Sequence, residues 1–220
     1  MKSTQKQNDA VSPVVGVMLM LVVTIIIAAL VSSFAGGLVS DQRTAPVSQL
    51  SVGYTANIVD TDKNNSVPDI TIKPNNGLVF RLMAGDSFSL KDISVQLKAH
   101  DKVLSLDMSD ILNKSAAVEE GNKLSIITNS QGNQTYFGIV GGEANPLISV
   151  GDSFILLADS CYDNTQDASI AADKKGRYLT WTPEGDKNTF EIMTNDVLEY
   201  KIIDQISGKP IQSGTIIIRG

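Results

Sequence analysis

The chain holds one cysteine, one histidine and one tryptophan in 220 residues. A lone Cys161 excludes an intrachain disulfide and a four-cysteine zinc site. A lone His100, next to Asp101, leaves a Ser-His-Asp arrangement with a single imidazole in turn-like sequence, so it reads as a solvated turn position. Aromatic residues make up 5% of the chain, too few to suggest a stacking platform for carbohydrate or single-stranded nucleic acid. Basic residues number 18 against 24 acidic ones, a formal net charge of −6 that supplies no cationic face for phosphate contacts. There is no G-x-S-x-G elbow, no H-E-x-x-H and no phosphate-binding glycine–lysine loop. The expectation is a protein that is not an enzyme and needs no cofactor.

Charge is missing altogether from one stretch. Residues 10–40, AVSPVVGVMLMLVVTIIIAALVSSFAGGLVS, contain 31 residues and none that is charged. About 20 apolar residues suffice to cross a bilayer, and a helix over the whole stretch would be roughly 46 Å long. Apolar residues fall on every helical face, the pattern of a helix surrounded by lipid or protein rather than one lying on a surface. The run is too long for a secretory signal peptide. Ser12 is placed to cap the first free amides, and Pro13 suits the first helical turn, where a missing N–H costs nothing. Ahead of it, the polar leader MKSTQKQND carries Lys2 and Lys6, which favour a cytoplasmic location and place the region after Ser40 outside. Thr24 and Ala28 lie four residues apart on one face, and Gly16, Ala28, Ala29 and the Gly36-Gly37 pair are places where helices can approach closely.

The run Asp9-Ala10-Val11-Ser12-Pro13-Val14-Val15-Gly16-Val17-Met18-Leu19-Met20, with the following Val22–Ala29 segment, resembles the N-terminal segment of archaeal type IV pilins, relatives of archaellins. The resemblance covers about residues 6–37. It implies a class III signal peptide: a short charged leader removed by a dedicated prepilin peptidase, with the cut expected between Asp9 and Ala10. It also implies that the remaining helix anchors the subunit and later packs into a filament core with copies of itself or related pilins, through assembly machinery in the membrane. Many related leaders end in a basic residue before Gly or Ala, whereas this one reads Asn8-Asp9-Ala10. Counting from Ala10, the fifth residue is Val14, so the glutamate of bacterial type IV pilins is absent.

Beyond the helix the texture changes. Gly36-Gly37 weakens the helix end, and residues 41–48, DQRTAPVS, read as a linker. From residue 49 onward, short β-branched runs alternate with Asn, Asp and Gly clusters. Strands are expected at 50–59, 69–73, 78–83, 93–99, 102–106, 123–128, 135–140, 153–158, 178–182, 189–194, 198–203 and 215–219. The last of these, apolar on both faces, reads as a central or covered strand. Residues 109–120 are the one helix candidate. The fold class is therefore α+β: a long N-terminal hydrophobic helix followed by an all-β, sandwich-like extracellular domain over residues 49–220. Ala84-Gly85-Asp86-Ser87-Phe88 and Val150-Gly151-Asp152-Ser153-Phe154 share a Gly-Asp turn that should send Phe88 and Phe154 inward. Trp181 reads as a core anchor.

Ligand chemistry is sparse. Asp60, Asp62, Asn64 and Ser66 alternate like the first half of a calcium loop, but Asn65 and Thr71 stand where the turn glycine and bidentate glutamate belong. An ordinary solvated loop is the expected reading, and no metal is assigned. Asp159, Asp163 and Asp167 read likewise as parts of a solvated loop, with Cys161 either buried or exposed within it. Three N-glycosylation acceptor motifs begin at Asn64, Asn113 and Asn133, all in the part expected outside. Two functions follow. One is a prepilin, membrane-inserted as a single-pass precursor, trimmed, and assembled into a glycosylated adhesive surface filament. The other is a monomeric membrane-anchored binding or cell-envelope protein.

Overall fold

The computed structural model describes residues 13–39, 44–55, 59–60, 76–112, 124–183 and 189–219. The chain divides into two compact units, Met1–Arg43 and Thr44–Gly220. In the first, α1 runs from Pro13 to Val39. Valine, isoleucine and threonine favour strands in water. In lipid every backbone amide must be satisfied within its own segment, and a helix is the solution open to a single chain.

The second unit, the head, is a β domain. Its strands are β1 (Ser48–Thr55), β2 (Val59–Asp60), β3 (Gly77–Gly85), β4 (Phe88–Ser89), β5 (Ile93–Ala99), β6 (Lys102–Leu106), β7 (Leu124–Thr128) and β8 (Gln134–Val140). They continue with β9 (Leu147–Ile148), β10 (Ser153–Leu157), β11 (Ser160–Asp163), β12 (Arg177–Trp181), β13 (Phe190–Met193), β14 (Val197–Asp204) and β15 (Pro210–Ile217). A five-stranded sheet has the order β1-β3-β10-β8-β7, and a four-stranded sheet the order β15-β14-β5-β6. A second four-stranded sheet, β13-β12-β11-β2, and the small β4-β9 pair complete the head. All pairings are antiparallel except β11 with β2.

The core follows from alternation. In β3, Leu78, Phe80 and Leu82 are fully buried while Arg81 and Met83 are exposed. Phe80 stacks on Phe154 at 4.9 Å and meets Tyr200 of β14 edge-on at 5.7 Å, which joins the five-stranded sheet to the β15-β14-β5-β6 sheet. Phe88 meets Phe154 edge-on at 6.3 Å, so both phenylalanines that follow the Gly-Asp turns point inward as expected. β10 breaks the alternation. Phe154 through Leu157 are all buried, the signature of a central strand covered on both faces. Trp181 is fully buried against Phe190, as expected of an anchor.

Gly85 and Gly214 are among the glycines that stand at close approaches. Gly85 has φ +103°, and a Cβ there would stand 2.1 Å from the carbonyl oxygen of Val47. Its neighbour Asp86 holds the chain where it enters the head. The Val47 N–H donates to Asp86 Oδ2 at 3.0 Å, the Asp86 N–H to Val47 O at 3.0 Å, and the Ser48 hydroxyl to Asp86 O at 2.7 Å. Gly214 leaves the space that the Tyr200 hydroxyl occupies; a Cβ there would lie 2.7 Å from that oxygen. Tyr200 accepts at that hydroxyl from Gln212 Nε2 at 2.9 Å.

Three expectations need correction. The C-terminal strand is not central: β15 is an edge strand of its sheet. Its apolar residues are accommodated because Ile218, just past it, is buried, and because β15 lies beside β1. There Gln212 accepts from the Leu50 N–H at 2.6 Å and donates to Leu50 O at 2.9 Å, taking the place of a strand neighbour. The helix expected at 109–120 does not form over its described part, which is a turn followed by an Ile111 bridge to Thr135. The rest of it lies outside the described residues, as does the strand expected at 69–73. The segment around Cys161 is not a loop but β11, with Cys161 fully buried.

Candidate functional site

α1 presents the largest unsatisfied surface among the described residues. Val14–Ser33 is a 20-residue apolar span with none of it buried. Its first turn holds no acidic residue and its last turn no basic one, so no charge fixes either end in water. The one side-chain hydroxyl in its middle is satisfied internally: Thr24 Oγ1 donates to Leu21 O at 2.9 Å. The helix therefore offers an apolar cylinder whose mid-span hydroxyl is paired, with Ser32 and Ser33 closing the span.

The small residues are distributed unevenly on it. Thr24 and Ala28 lie one turn apart on the same face, and Ser32 continues that row, a position the sequence reading passed over although the same four-residue spacing reaches it. Ala29 lies about 100° around the helix from Ala28, and Gly16, twelve residues back, about 120° away. Gly16 and Ala28 therefore do not share a face. A Cβ at Gly16 would meet nothing within 4 Å in the subunit. Any tight packing there would involve a neighbouring molecule. α1 begins at Pro13; Asp9, Ala10 and Ser12 lie outside the described residues.

In the head, the acidic residues around Cys161 serve packing. Asp159 accepts from the Tyr136 hydroxyl at 2.7 Å and from the Thr182 N–H. Burial, reinforced by the hydrogen bond and charge of Asp159, pushes the Tyr136 phenol well above its ordinary value. Asp163 is buried and pairs with Arg177 Nε at 2.8 Å. Burial raises its carboxyl, but hydrogen bonds from Thr165 and the Arg177 guanidinium outweigh that and hold it below the usual carboxylate value. Asp167 caps its own turn, accepting from the Ser169 N–H at 2.8 Å. Burial also pushes the Cys161 thiol up to about 12, which keeps it protonated and unreactive. Tyr162 and Tyr178 stack at 5.0 Å across β11 and β12, an aromatic pair that composition alone did not suggest.

His100 sits exposed in the β5–β6 turn at φ +52°, with Nε2 3.8 Å from Asp196 Oδ2. Among the described residues no group of three His, Cys, Asp or Glu side chains is placed to hold a metal ion. Asp60 is in β2, opposite Asp163, while Asp62, Asn64 and Ser66 lie outside the described residues, as does Asn113. Asn133 is exposed in the β7–β8 hairpin, its N–H bound to Asn129 Oδ1 at 3.0 Å. The third residue of its acceptor motif, Thr135, is buried and donates to Ile127 O at 2.9 Å.

The curated proteins include no match to the chain. A family match does exist, and it falls on the exposed helix: residues 9–50 fit the archaeal type IV pilin N-terminal domain. The fit spans α1 and ends in β1, so it takes in both the apolar cylinder and the point at which the chain enters the head. Residues 9–50 of this chain are thus similar to the archaeal type IV pilin N-terminal domain.

Proposed function

We propose that the chain is the precursor of a subunit of a type IV pilus-like surface filament. The observation that carries this reading is the fully exposed apolar span Val14–Ser33 inside a pilin-type segment. Apolar surface of that extent is stable only in lipid or against other apolar surface. Lipid serves the precursor, and copies of the same helix serve the filament.

In this account residues 1–9 stay on the cytoplasmic side and are removed by a prepilin peptidase between Asp9 and Ala10. Ser12 and Pro13 start the mature helix, and Gly16, Thr24, Ala28 and Ala29 face neighbouring helices. The head lies outside, carries glycan at one or more of Asn64, Asn113 and Asn133, and serves adhesion. Of these three, Asn133 is supported by its exposure in a hairpin. The buried Thr135 hydroxyl points to attachment before the hairpin closes, because the acceptor motif is recognised through that hydroxyl in an extended chain.

Mass spectrometry of filaments sheared from cells tests the reading. The expected result is a chain beginning at Ala10 with mass added at a sequon. An intact leader on protein found only in membranes would overturn it. That outcome would favour a membrane-anchored monomer whose head binds a polar solute. An open cleft of about 410 Å³ lined by Lys91, Asp107, Asn129, Gln131 and Gln205 would be the place to look.

A further inference from the structure

The end of the five-stranded sheet at which the chain enters the head carries an apolar rim. Val47 is 78% exposed, Val150 56%, Met83 52%, Leu147 51% and Val140 42%. Register places them together. Ser48 lies opposite Gly85, two residues past Met83, and Ser153 lies opposite both Arg81 and Val140. The Gly151 N–H, beside Val150, donates to Leu82 O at 2.8 Å, and Leu147 lies opposite Ser89. The two carboxylates of the Gly-Asp turns at this end are engaged with backbone. Asp86 holds the Val47 N–H, and Asp152 accepts from the Ser149 N–H at 2.8 Å. Asp86 and Asp152 stay exposed while bound to local amides, and the five apolar side chains share this sheet end with them and with Arg81.

A candidate occupant is present in the same chain. The span Val14–Ser33 is about 30 Å long, the thickness of a bilayer's hydrocarbon core. α1 continues past it through Phe34-Ala35-Gly36-Gly37-Leu38-Val39, roughly 9 Å of helix without a charge. A bilayer core about 30 Å thick that covers Val14–Ser33 has no length left for that extension. From Val39 to Val47 the chain can reach at most about 28 Å.

We infer that the rim formed by Val47, Met83, Val140, Leu147 and Val150 seats the last turns of α1 from a neighbouring copy. The inference rests on the filament reading above. Each head then covers the part of a neighbour's helix that neither lipid nor the inner bundle reaches, and it does so at the sheet end nearest in sequence to the helices.

The test uses the full chain. Two tagged forms, one Val150→Cys and the other Leu38→Cys, are made in the same cells, and their sheared filaments are oxidised. The native Cys161 is fully buried and does not compete. A disulfide-linked dimer carrying both tags is the expected product. In parallel, the double variant Met83→Asp, Val150→Asp should lower the ratio of sheared filament to trimmed membrane-bound protein by about tenfold or more. Its head should melt as in the parent in detergent, since both side chains are exposed. Normal filament yield from the double variant, or normal filaments without the mixed dimer, overturns the inference and leaves the filament reading standing. Loss of membrane retention in the variant without a mixed dimer assigns the rim to lipid and overturns it equally. Absence of filaments from the parent chain overturns the filament reading itself.

Discussion

α1 and β3 are built from much the same residues and meet opposite fates. β3 reads Gly77-Leu78-Val79-Phe80-Arg81-Leu82-Met83, and its alternate side chains vanish into the head. α1 reads Val-Met-Leu-Met-Leu-Val-Val over residues 17–23 and buries none of its span. Hydrophobicity does not separate the two. Periodicity does: a period of two marks one face for a partner within the chain, whereas the absence of any period marks a surface whose partner is elsewhere. The head buries most of its apolar side chains within itself, whereas α1 leaves its apolar span exposed.

Cutting between them should have the largest effect. Residues 41–220 alone are expected to fold as a soluble, β-rich monomer with no membrane retention and no filament incorporation. A circular dichroism spectrum dominated by helix, or a head that fails to fold, would break the comparison.

Within the head, Phe154→Ala removes the ring that touches Phe80, Phe88 and Phe137. A loss of about 3–5 kcal/mol in head stability is expected, read by denaturant unfolding. Labelling of Cys161, silent in the parent because the thiol is buried and protonated, should accelerate in step. Membrane insertion of α1 should not change.

On the rod, Ala28→Leu keeps apolar character but adds volume. A cost of roughly 1–3 kcal/mol is expected in a closely packed helix bundle, seen as a lower ratio of filament to trimmed membrane-bound protein with unchanged head stability. An unchanged ratio would remove Ala28 from the tight contact.

The smallest effect is that of pH on the head. The Asp163 carboxyl is held below its ordinary value, so its contribution is present above about pH 4 and fades as pH falls through the lowered folded value. Tyr136 and Tyr162 are raised by burial and by Asp159 and Glu191, respectively. Unfolding frees both to ionise, so stability should also fall as pH climbs past about 10. Melting temperature against pH should show a plateau with two declining flanks. Asp163→Asn should flatten the acidic flank, and an unchanged acidic flank would assign it to other carboxylates.

Much of this was legible in the sequence because its signals are local. The charge-free run marked α1, the alternation in Ile93–Ala99 marked β5, and the paired Gly-Asp turns sent Phe88 and Phe154 inward. What escaped depends on distant pairing. β10 lies between β3 and β8, more than seventy residues from the first, and nothing near Ser153 records that neighbour. β11 hid in a polar segment because Asp163 is neutralised by Arg177, fourteen residues on. β15 looked central because Gln212, rather than a further strand, meets the Leu50 backbone. On the rod, a sequence without periodicity could indicate that partners exist, but not which face each partner takes.

The clasp at Asp86 has a mechanical consequence. A tow applied at Val47 along β1 meets the ladder to β3 on one side. On the other side are the Gln212 stitch and the bonds joining Tyr54 Oη to the Arg219 backbone at 2.6 and 2.7 Å. Antiparallel rungs pulled along the strand axis share the load in shear, and the three bonds between Asp86 and Val47–Ser48 must give before the first rung is exposed to peeling. The head is thereby fastened at the point where a taut tether would otherwise begin to unravel it.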